Sequence, residues 1–235
     1  MLLEICTNSF QSAKNAQLAG AHRIELCSEL SIGGITPSFG LLQKVISELY
    51  IETFVLIRPR SGNFYYTDEE FEIIKNDIKV CKDLGCHGVV SGVLNKDNTI
   101  DIKRTQELVD LSKPLAFTFH RAFDIVPNTQ DALEQLVDLG VDRVLTSGQQ
   151  SKAIDGIEKL KELNIQAQNR ITIVAGSGIN SENAKTFKDA EFKELHASAS
   201  KVVSTESSTY FGNTPQTVSC IDEIKSIIKV ISDEV

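Results

Sequence analysis

Several features that would assign a chain to a common class are missing from this sequence. No apolar run approaches the length needed to cross a membrane, and no basic region or cleavage site precedes the first apolar segment. The five cysteines are an odd number without a paired spacing, so structural disulfides are not expected. These absences lead us to expect a soluble, cytoplasmic protein without a membrane partner.

Charge and glycine patterning exclude two further classes of partner. The formal net charge is -8, and the lysines are scattered rather than clustered into a stripe, so we expect no nucleic acid partner. No Gly-x-Gly-x-x-Gly turn follows the first apolar segment, where the dinucleotide site of an open doubly wound sheet would need it. We therefore expect no nucleotide cofactor.

Short β-branched runs alternate with longer amphipathic runs along the chain. Eight segments are predicted to form strands, at 2–6, 22–27, 53–58, 88–91, 115–119, 142–146, 171–175 and 193–197. Eight others are predicted to form helices, at 9–20, 38–49, 68–84, 101–112, 128–139, 150–163, 180–189 and 219–232. Because no linker-like stretch divides them, this pattern predicts a single α/β domain over residues 1–235, a TIM-barrel-like (β/α)₈ barrel.

The first two predicted strands share an unusual pair of residues. Glu4 with Cys6, and Glu25 with Cys27, each lie two residues apart and so share one face of a strand. A carboxylate is costly to bury without a partner. Either these glutamates form internal ion pairs with Arg58, Arg60 or Arg121 and the cysteines are core residues, or the four side chains form part of a site.

A barrel of this kind carries its site at the carboxyl ends of the strands. The arginines and histidines found there would offer charge-assisted hydrogen bonds to a carboxylate or a phosphate. One interpretation is therefore an enzyme acting on a small anionic substrate by acid/base chemistry, with Glu4, Glu25 and His120 as catalytic candidates. Its anion-binding candidates are Arg58, Arg60, Arg121, Ser147, Gly176, Ser177, Gly178, His196 and Ser198.

Longer motifs point to a family. They are Arg23-Ile24-Glu25-Leu26-Cys27-Ser28, Ile57-Arg58-Pro59-Arg60, Thr118-Phe119-His120-Arg121-Ala122-Phe123-Asp124, Ala175-Gly176-Ser177-Gly178 and His196-Ala197-Ser198-Ala199. With these motifs the chain resembles the CutC copper-homeostasis family. The resemblance implies a TIM-barrel-like fold, a cytoplasmic setting and a role in copper handling, with Cys6 and Cys27 as Cu(I) ligands.

The residues themselves support copper only in part. Thiolates favour Cu(I), and two inward cysteines on strands about 4.8 Å apart could share one ion. However, the chain has no Cys-x-x-Cys pair, and its only methionine is Met1. Glu4 and Glu25 are hard ligands that suit other ions and would raise the pKa values of the thiols. A copper carrier and an anion-binding enzyme therefore both remain open.

Two further segments bear on the mouth of the predicted barrel. The three aromatic residues at 64–66 are interpreted as a lid or as an interface in a homo-oligomer, which is the assembly we expect. The segment 198–216 is rich in serine and threonine and is long for a loop between a strand and a helix. It is predicted either to fold over the mouth or to be disordered.

Overall fold

The protein forms the barrel that its sequence predicts. The computed structural model describes residues 1–208, 210 and 212–232. Within them, eight parallel strands form one closed sheet, in which the last strand pairs with the first. The strands are Leu2–Thr7 (β1), Arg23–Leu26 (β2), Glu52–Leu56 (β3), Gly88–Ser91 (β4), Ala116–Phe119 (β5), Arg143–Thr146 (β6), Thr172–Gly176 (β7) and Glu194–Ala197 (β8).

Helices cover the outside of this barrel, one after each strand. They are Phe10–Ala19 (α1), Phe39–Glu48 (α2), Asp68–Asp83 (α3), Ile102–Ser112 (α4), Thr129–Asp138 (α5), Ile157–Ala167 (α6), Ala184–Asp189 (α7) and Ile221–Ile231 (α8). Side-chain caps define several starts: Thr67 and Glu70 form a complete capping box before α3. In the described part of the chain, no helix combines the length and apolar character needed to cross a membrane.

Side chains alternate along each strand between the core outside the barrel and the barrel interior. Outward-facing residues such as Leu3, Ile5 and Ile24 are fully buried in a large apolar core between the sheet and the helices. The inward-facing residues include a small apolar cluster of Cys6, Cys27, Phe54, Leu56 and Val90. Charged residues occupy much of the remaining barrel interior, and their positions determine the site described below.

Two predicted helices start later than expected. The helix predicted at 150–163 begins at Ile157, because residues 150–156 form bends and turns. A hydrogen bond from Ala153 N–H to Ser177 O at 2.9 Å holds these turns against the loop after β7. The helix predicted at 180–189 begins at Ala184. There the side chain of Asn180 accepts hydrogen bonds from the N–H groups of Glu182 and Asn183 and holds a turn before the helix.

The segment 198–216, predicted either to fold over the mouth or to be disordered, is mostly an antiparallel hairpin. Its strands are Ser200–Ser208 (β9) and Gly212–Ser219 (β10). Its base is tied to α1, since Ser219 O accepts from Asn15 at 2.9 Å and Ser219 N–H donates to Ser12 at 3.2 Å. The predicted domain 1–235 also includes residues 209, 211 and 233–235, which lie outside the described part of the chain.

Candidate functional site

A layer of four charged side chains crosses the barrel interior. Arg23 Nε donates to Glu4 Oε2 at 2.5 Å, and Arg23 Nη2 donates to Glu194 Oε2 at 2.5 Å. Arg143 Nη1 lies 3.9 Å from the same Glu194 oxygen. Two carboxylates thus oppose two guanidinium groups, and this layer forms a charge-balanced floor beneath the site.

Phe54 packs between the two arginines of this floor. The guanidinium carbons of Arg23 and Arg143 lie 4.6 Å and 3.8 Å from the centre of its ring. The ring needs the space beside Gly88, where an added Cβ would stand only 2.2 Å from a ring carbon. Glycine at this position is therefore part of how the floor is packed.

The ion-pair partners of the glutamates differ from those expected. Arg58, Arg60 and Arg121 pair with neither Glu4 nor Glu25 in the described residues. Glu4 is paired instead with Arg23 and with His196, whose Nδ1 lies 2.7 Å from Glu4 Oε1. The alternation of Arg23, Glu25 and Cys27 along one strand was the signal available in the sequence, because it places Arg23 on the inward face.

Above the floor, the two Glu-x-Cys strands bring both thiols and one carboxylate together. Cys6 Sγ lies 3.7 Å from Cys27 Sγ and donates to Glu25 Oε1 at 3.7 Å. His196, on the adjoining β8, completes a group in which ligand atoms of Cys6, Glu25 and His196 all lie within 4.8 Å of one another. We refer to Cys6, Cys27, Glu25 and His196 as the chamber.

Charge pairing fixes the protonation of His196 in the chamber and of Glu4 in the floor. Burial raises the pKa of Glu4, but the hydrogen bond with His196 and the positive charge of Arg23 outweigh it and hold this pKa well below its usual value. Burial lowers the pKa of His196, but its hydrogen bond with Glu4 and the charges of Glu25 and Glu4 leave it raised. Glu4 is therefore ionised and holds the proton of His196 on Nδ1.

Glu25 and Cys6 differ from Glu4, because their surroundings raise both of their pKa values. Burial raises the pKa of Glu25 to about 7, with His196 acting in the lowering direction. The hydrogen bond with Cys27, burial and the negative charges nearby raise the pKa of the Cys6 thiol well above its usual value. Without a bound cation, Cys6 is therefore a protonated thiol at neutral pH.

A cavity of about 1120 Å³ opens from the chamber to the carboxyl ends of the strands. One wall is the hairpin, which contributes residues of both β9 and β10, including Val203 and Thr217. The predicted site residues that line the cavity are Cys6, Glu25, Arg58, His120, Arg121, Ser177, Gly178, His196 and Ser198. The others, outside that lining, are Glu4, Cys27, Arg60, Ser147 and Gly176.

The two arginines after β3 serve different parts of the structure. Arg58 is buried and donates to the carbonyl oxygens of Ile32, Gly34 and Gly62, although it also lines the cavity. Arg60 points away and forms an ion pair with Glu70 at 2.5 Å. Anion binding by the Nη atoms of Arg58 would therefore compete with these loop contacts, whereas its buried Nε has no hydrogen-bond partner among the described residues. Arg60 does not lie near the other candidates.

His120 lies against the side of the cavity as a neutral ring. Its Nδ1 accepts from Ala122 N–H at 3.3 Å, which leaves the proton on Nε2, and this buried atom has no hydrogen-bond partner among the described residues. Burial and the charge of Arg58 lower the pKa of His120 to about 3. Phe64 packs on the ring with centroids 4.7 Å apart, so the first of the three predicted lid aromatics lines the mouth.

This neutral histidine should make stability depend on pH. Below the unfolded pKa of about 6.5, the unfolded chain gains a proton at His120 that the native protein takes up only near pH 3. Stability is therefore lost as pH falls. From pH 7 to pH 5 the free energy of unfolding of the unsubstituted protein should fall by about 2 kcal/mol more than that of His120→Asn. Urea unfolding at the two pH values measures both changes. Equal losses in the two proteins would contradict the neutral assignment.

Arg121 is oriented by Asp124 at the mouth. Its Nε donates to Asp124 Oδ2 at 2.8 Å, and its Nη2 donates to Ser147 Oγ at 2.8 Å. Asp124 also accepts from Thr146 and from the backbone N–H of Ser147. Ser147 is thus a buried support for this network, and Arg121 is the partly exposed cation that reaches the cavity.

The Gly-Ser-Gly turn after β7 is shaped by packing. A Cβ on Gly176 would stand 2.6 Å from Leu145 and 3.2 Å from His196, so the glycine leaves room for the histidine. Ser177 has a φ of 90°, and its hydroxyl donates to Ser151 O at 2.7 Å. Since α7 begins only at Ala184, no helix N-terminus follows the turn directly to support the anion binding predicted for Gly176, Ser177 and Gly178.

Sequence comparisons relate the chain to one group of bacterial proteins. The sequence profile of the CutC family matches residues 1–201. A protein named as a family protein CutC from Photorhabdus laumondii subsp. laumondii is 48% identical over 201 residues, which cover 86% of this chain and 81% of the relative. One of the same name from Salmonella typhimurium is 46% identical over 198 residues, covering 84% and 79%.

Structural comparisons agree. The crystal structure of CutC from Streptococcus agalactiae superposes with a TM-score of 0.80 at 33% sequence identity, covering 84% of this chain and 98% of that one. The aldolase QR15 superposes with a TM-score of 0.63 at 11% identity, covering 85% and 90%. The latter likeness shows the barrel fold alone.

Proposed function

The chain belongs to the CutC family, and on that premise we propose that it handles copper by binding Cu(I) through the thiolates of Cys6 and Cys27. Copper homeostasis is named, as a provisional role, in the description of the Streptococcus agalactiae structure. The observation that carries the proposal is the Cys6 Sγ to Cys27 Sγ distance of 3.7 Å. This short distance supports the chamber as the proposed metal site.

This distance fits two thiolates on one ion. At the bond length of about 2.3 Å known for zinc thiolates, an S–metal–S angle near 110° separates two sulfurs by about 3.8 Å, so the distance fits an ion with further ligands rather than a linear two-coordinate one. The apolar side chains of Phe54, Leu56 and Val90 pack with the two cysteines. Soft sulfur ligands in apolar surroundings favour Cu(I) over hard cations.

The ion would enter from the cavity. Cys6 lines the cavity, whereas Cys27 is fully buried behind it. Because the pKa of the Cys6 thiol is raised, the ion must displace a proton there, so affinity should weaken as pH falls.

The proposal includes a location and an assembly. The free thiols fit a cytoplasmic protein, since a reducing compartment keeps both cysteines available. A homo-oligomer is the proposed assembly, and the exposed aromatic and aliphatic side chains outside the barrel mouth, such as Phe39 and Tyr65, are available for subunit contacts.

The proposal is tested by anaerobic Cu(I) titration against a competing chelator. We expect one Cu(I) per chain in the native protein and affinity at least about 100-fold weaker in Cys6→Ser with Cys27→Ser, because both thiolate bonds are lost. Cys81→Ser is the matched control: Cys81 is also a buried free thiol, but it lies in α3. Circular dichroism checks that all variants fold. Binding indifferent to Cys6 and Cys27 would refute the copper role.

A second candidate is an enzyme acting by acid/base chemistry on a small carboxylate or phosphate. The observation that favours it is Glu25, whose pKa near 7 suits a general acid or base and which faces the same cavity as Arg121 and His120. In this role Glu4 would keep His196 in place, and Arg121, Ser177, Gly178 and Ser198 would receive the anion. A failed Cu(I) titration would favour this candidate.

A further inference from the structure

The chamber contains a second set of ligand atoms that does not use Cys27. The side chains of Cys6, Glu25 and His196 come from β1, β2 and β8, which are adjacent around the barrel. Their ligand atoms lie within 4.8 Å of one another. A tetrahedral ion with bonds of about 2.0 to 2.3 Å separates its ligand atoms by about 3.3 to 3.8 Å. Side-chain movements of about 1 Å therefore bring all three onto one ion.

His196 is held as a metal-binding histidine usually is. Its Nδ1 is engaged by the ionised Glu4 at 2.7 Å, and Glu4 is itself held by Arg23 at 2.5 Å. Histidine ligands characteristically donate one ring N–H to a carboxylate, which fixes the ring and leaves the other nitrogen for the metal. The Nε2 of His196 is the nitrogen left available here.

Glu25 supplies an independent indication of a missing ligand. Its Oε1 accepts from Cys6, but its Oε2 is buried and has no hydrogen-bond partner among the described residues. An unpartnered buried carboxylate oxygen costs free energy that a bound cation would recover. A carboxylate oxygen of the same Glu25 side chain belongs to the three-residue group with the sulfur and the imidazole.

Charge balance selects the ion. The floor of Glu4, Arg23, Glu194 and Arg143 is already neutral by itself. Thiolate Cys6 and carboxylate Glu25 add two negative charges, which a divalent cation cancels and a monovalent one does not. A buried site tolerates residual charge poorly. Sulfur, nitrogen and oxygen ligands together are typical of zinc sites.

We propose that the chamber binds Zn²⁺ through Cys6 Sγ, the Glu25 carboxylate and His196 Nε2, with its fourth position open to the cavity. This inference goes beyond the proposed function, because Cu(I) handling needs Cys27 whereas Zn²⁺ needs Glu25 and His196. An open fourth position is the arrangement of zinc sites that bind a water or a substrate.

The test is a Zn²⁺ titration of the full chain against a chromophoric chelator, with Co²⁺ as a spectroscopic substitute. We expect one Zn²⁺ per chain and a thiolate-to-Co²⁺ charge-transfer band. Glu25→Gln and His196→Gln should each weaken Zn²⁺ binding by about 100-fold or more, since the loss of a direct ligand exceeds the 10- to 100-fold effects of outer partners. Cys81→Ser should change the affinity for neither Zn²⁺ nor Cu(I). Circular dichroism checks the folding of each variant.

Comparison with Cu(I) separates the two proposals. Cys27→Ser should weaken Cu(I) binding far more than Zn²⁺ binding, and Glu25→Gln should do the reverse. Native protein that binds Zn²⁺ only weakly, or without the charge-transfer band, overturns the zinc site. Equal losses of Zn²⁺ affinity in Cys27→Ser and Glu25→Gln would also overturn the zinc site. Zinc binding with the expected pattern and no Cu(I) binding would overturn the copper role and leave the zinc site standing.

Discussion

Glu4→Gln is expected to lower the free energy of unfolding by about 3 kcal/mol, because it leaves Arg23 with an uncompensated share of buried charge. Both members of the pair are almost completely inaccessible to solvent, and their atoms lie 2.5 Å apart. His196 loses the carboxylate that stabilises its charged form at the same time. Urea unfolding followed by circular dichroism at neutral pH measures this loss.

The control is an ion pair of the same glutamate type with a lysine at the surface. Lys44 and Glu48 also lie 2.5 Å apart, but each side chain is 50% exposed. Glu48→Gln should change stability by no more than about 0.5 kcal/mol, because solvent screens the pair. If Glu4→Gln cost no more than Glu48→Gln, the floor would not be a buried ion-pair network.

Gly88→Ala is expected to cost about 3 kcal/mol through overpacking. The new Cβ would stand 2.2 to 2.5 Å from three carbons of the Phe54 ring. The ring cannot easily move away, since the guanidinium groups of Arg23 and Arg143 pack against it. The change should therefore disturb the charged floor as well as the apolar packing, and urea unfolding measures the cost.

Gly40→Ala distinguishes this clash from a general effect of replacing glycine. Gly40 lies in α2 and needs no left-handed backbone, and in the described part of the chain no atom lies within 4 Å of the place of a new Cβ. Alanine there should stabilise the protein by about 0.5 to 1 kcal/mol, because glycine is a poor helix former. Destabilisation by Gly40→Ala as large as that by Gly88→Ala would argue against the packing account.

The sequence was sufficient to predict the barrel because its signals are local. Alternating apolar runs specify strands, and caps such as Thr67 specify helix starts. The departures arise where contacts distant in sequence decide the local structure. Ala153 bonds to Ser177 and delays α6, while the base of the hairpin is fixed by α1. Val202 and Val203 were a β-strand signal within the serine-rich segment that our interpretation did not use.

The clustering of the candidate residues was predictable from their positions in the sequence, and their ion-pair partners were less so. The rule that strand ends carry the site correctly brought Glu25, Cys6 and His196 to one place. Which arginine meets Glu4 depends on the stagger between strands: β1 pairs with β2 so that Glu4 lies opposite Arg23. Strand spacing in the sequence does not specify that stagger, so the partners expected for Glu4 were wrong.

The hairpin leaves and rejoins the barrel at a single point. Ser200 pairs with Ser219, and Cys220 N–H donates to Ala199 O at 2.8 Å, while the match to the CutC family ends at residue 201. Paired residues of this kind lie only about 5 Å apart, a gap that a short turn can bridge. Replacing the hairpin by a short turn between Ala199 and Cys220 should therefore remove one wall of the mouth without moving the proposed metal ligands, which lie on barrel strands or directly after one.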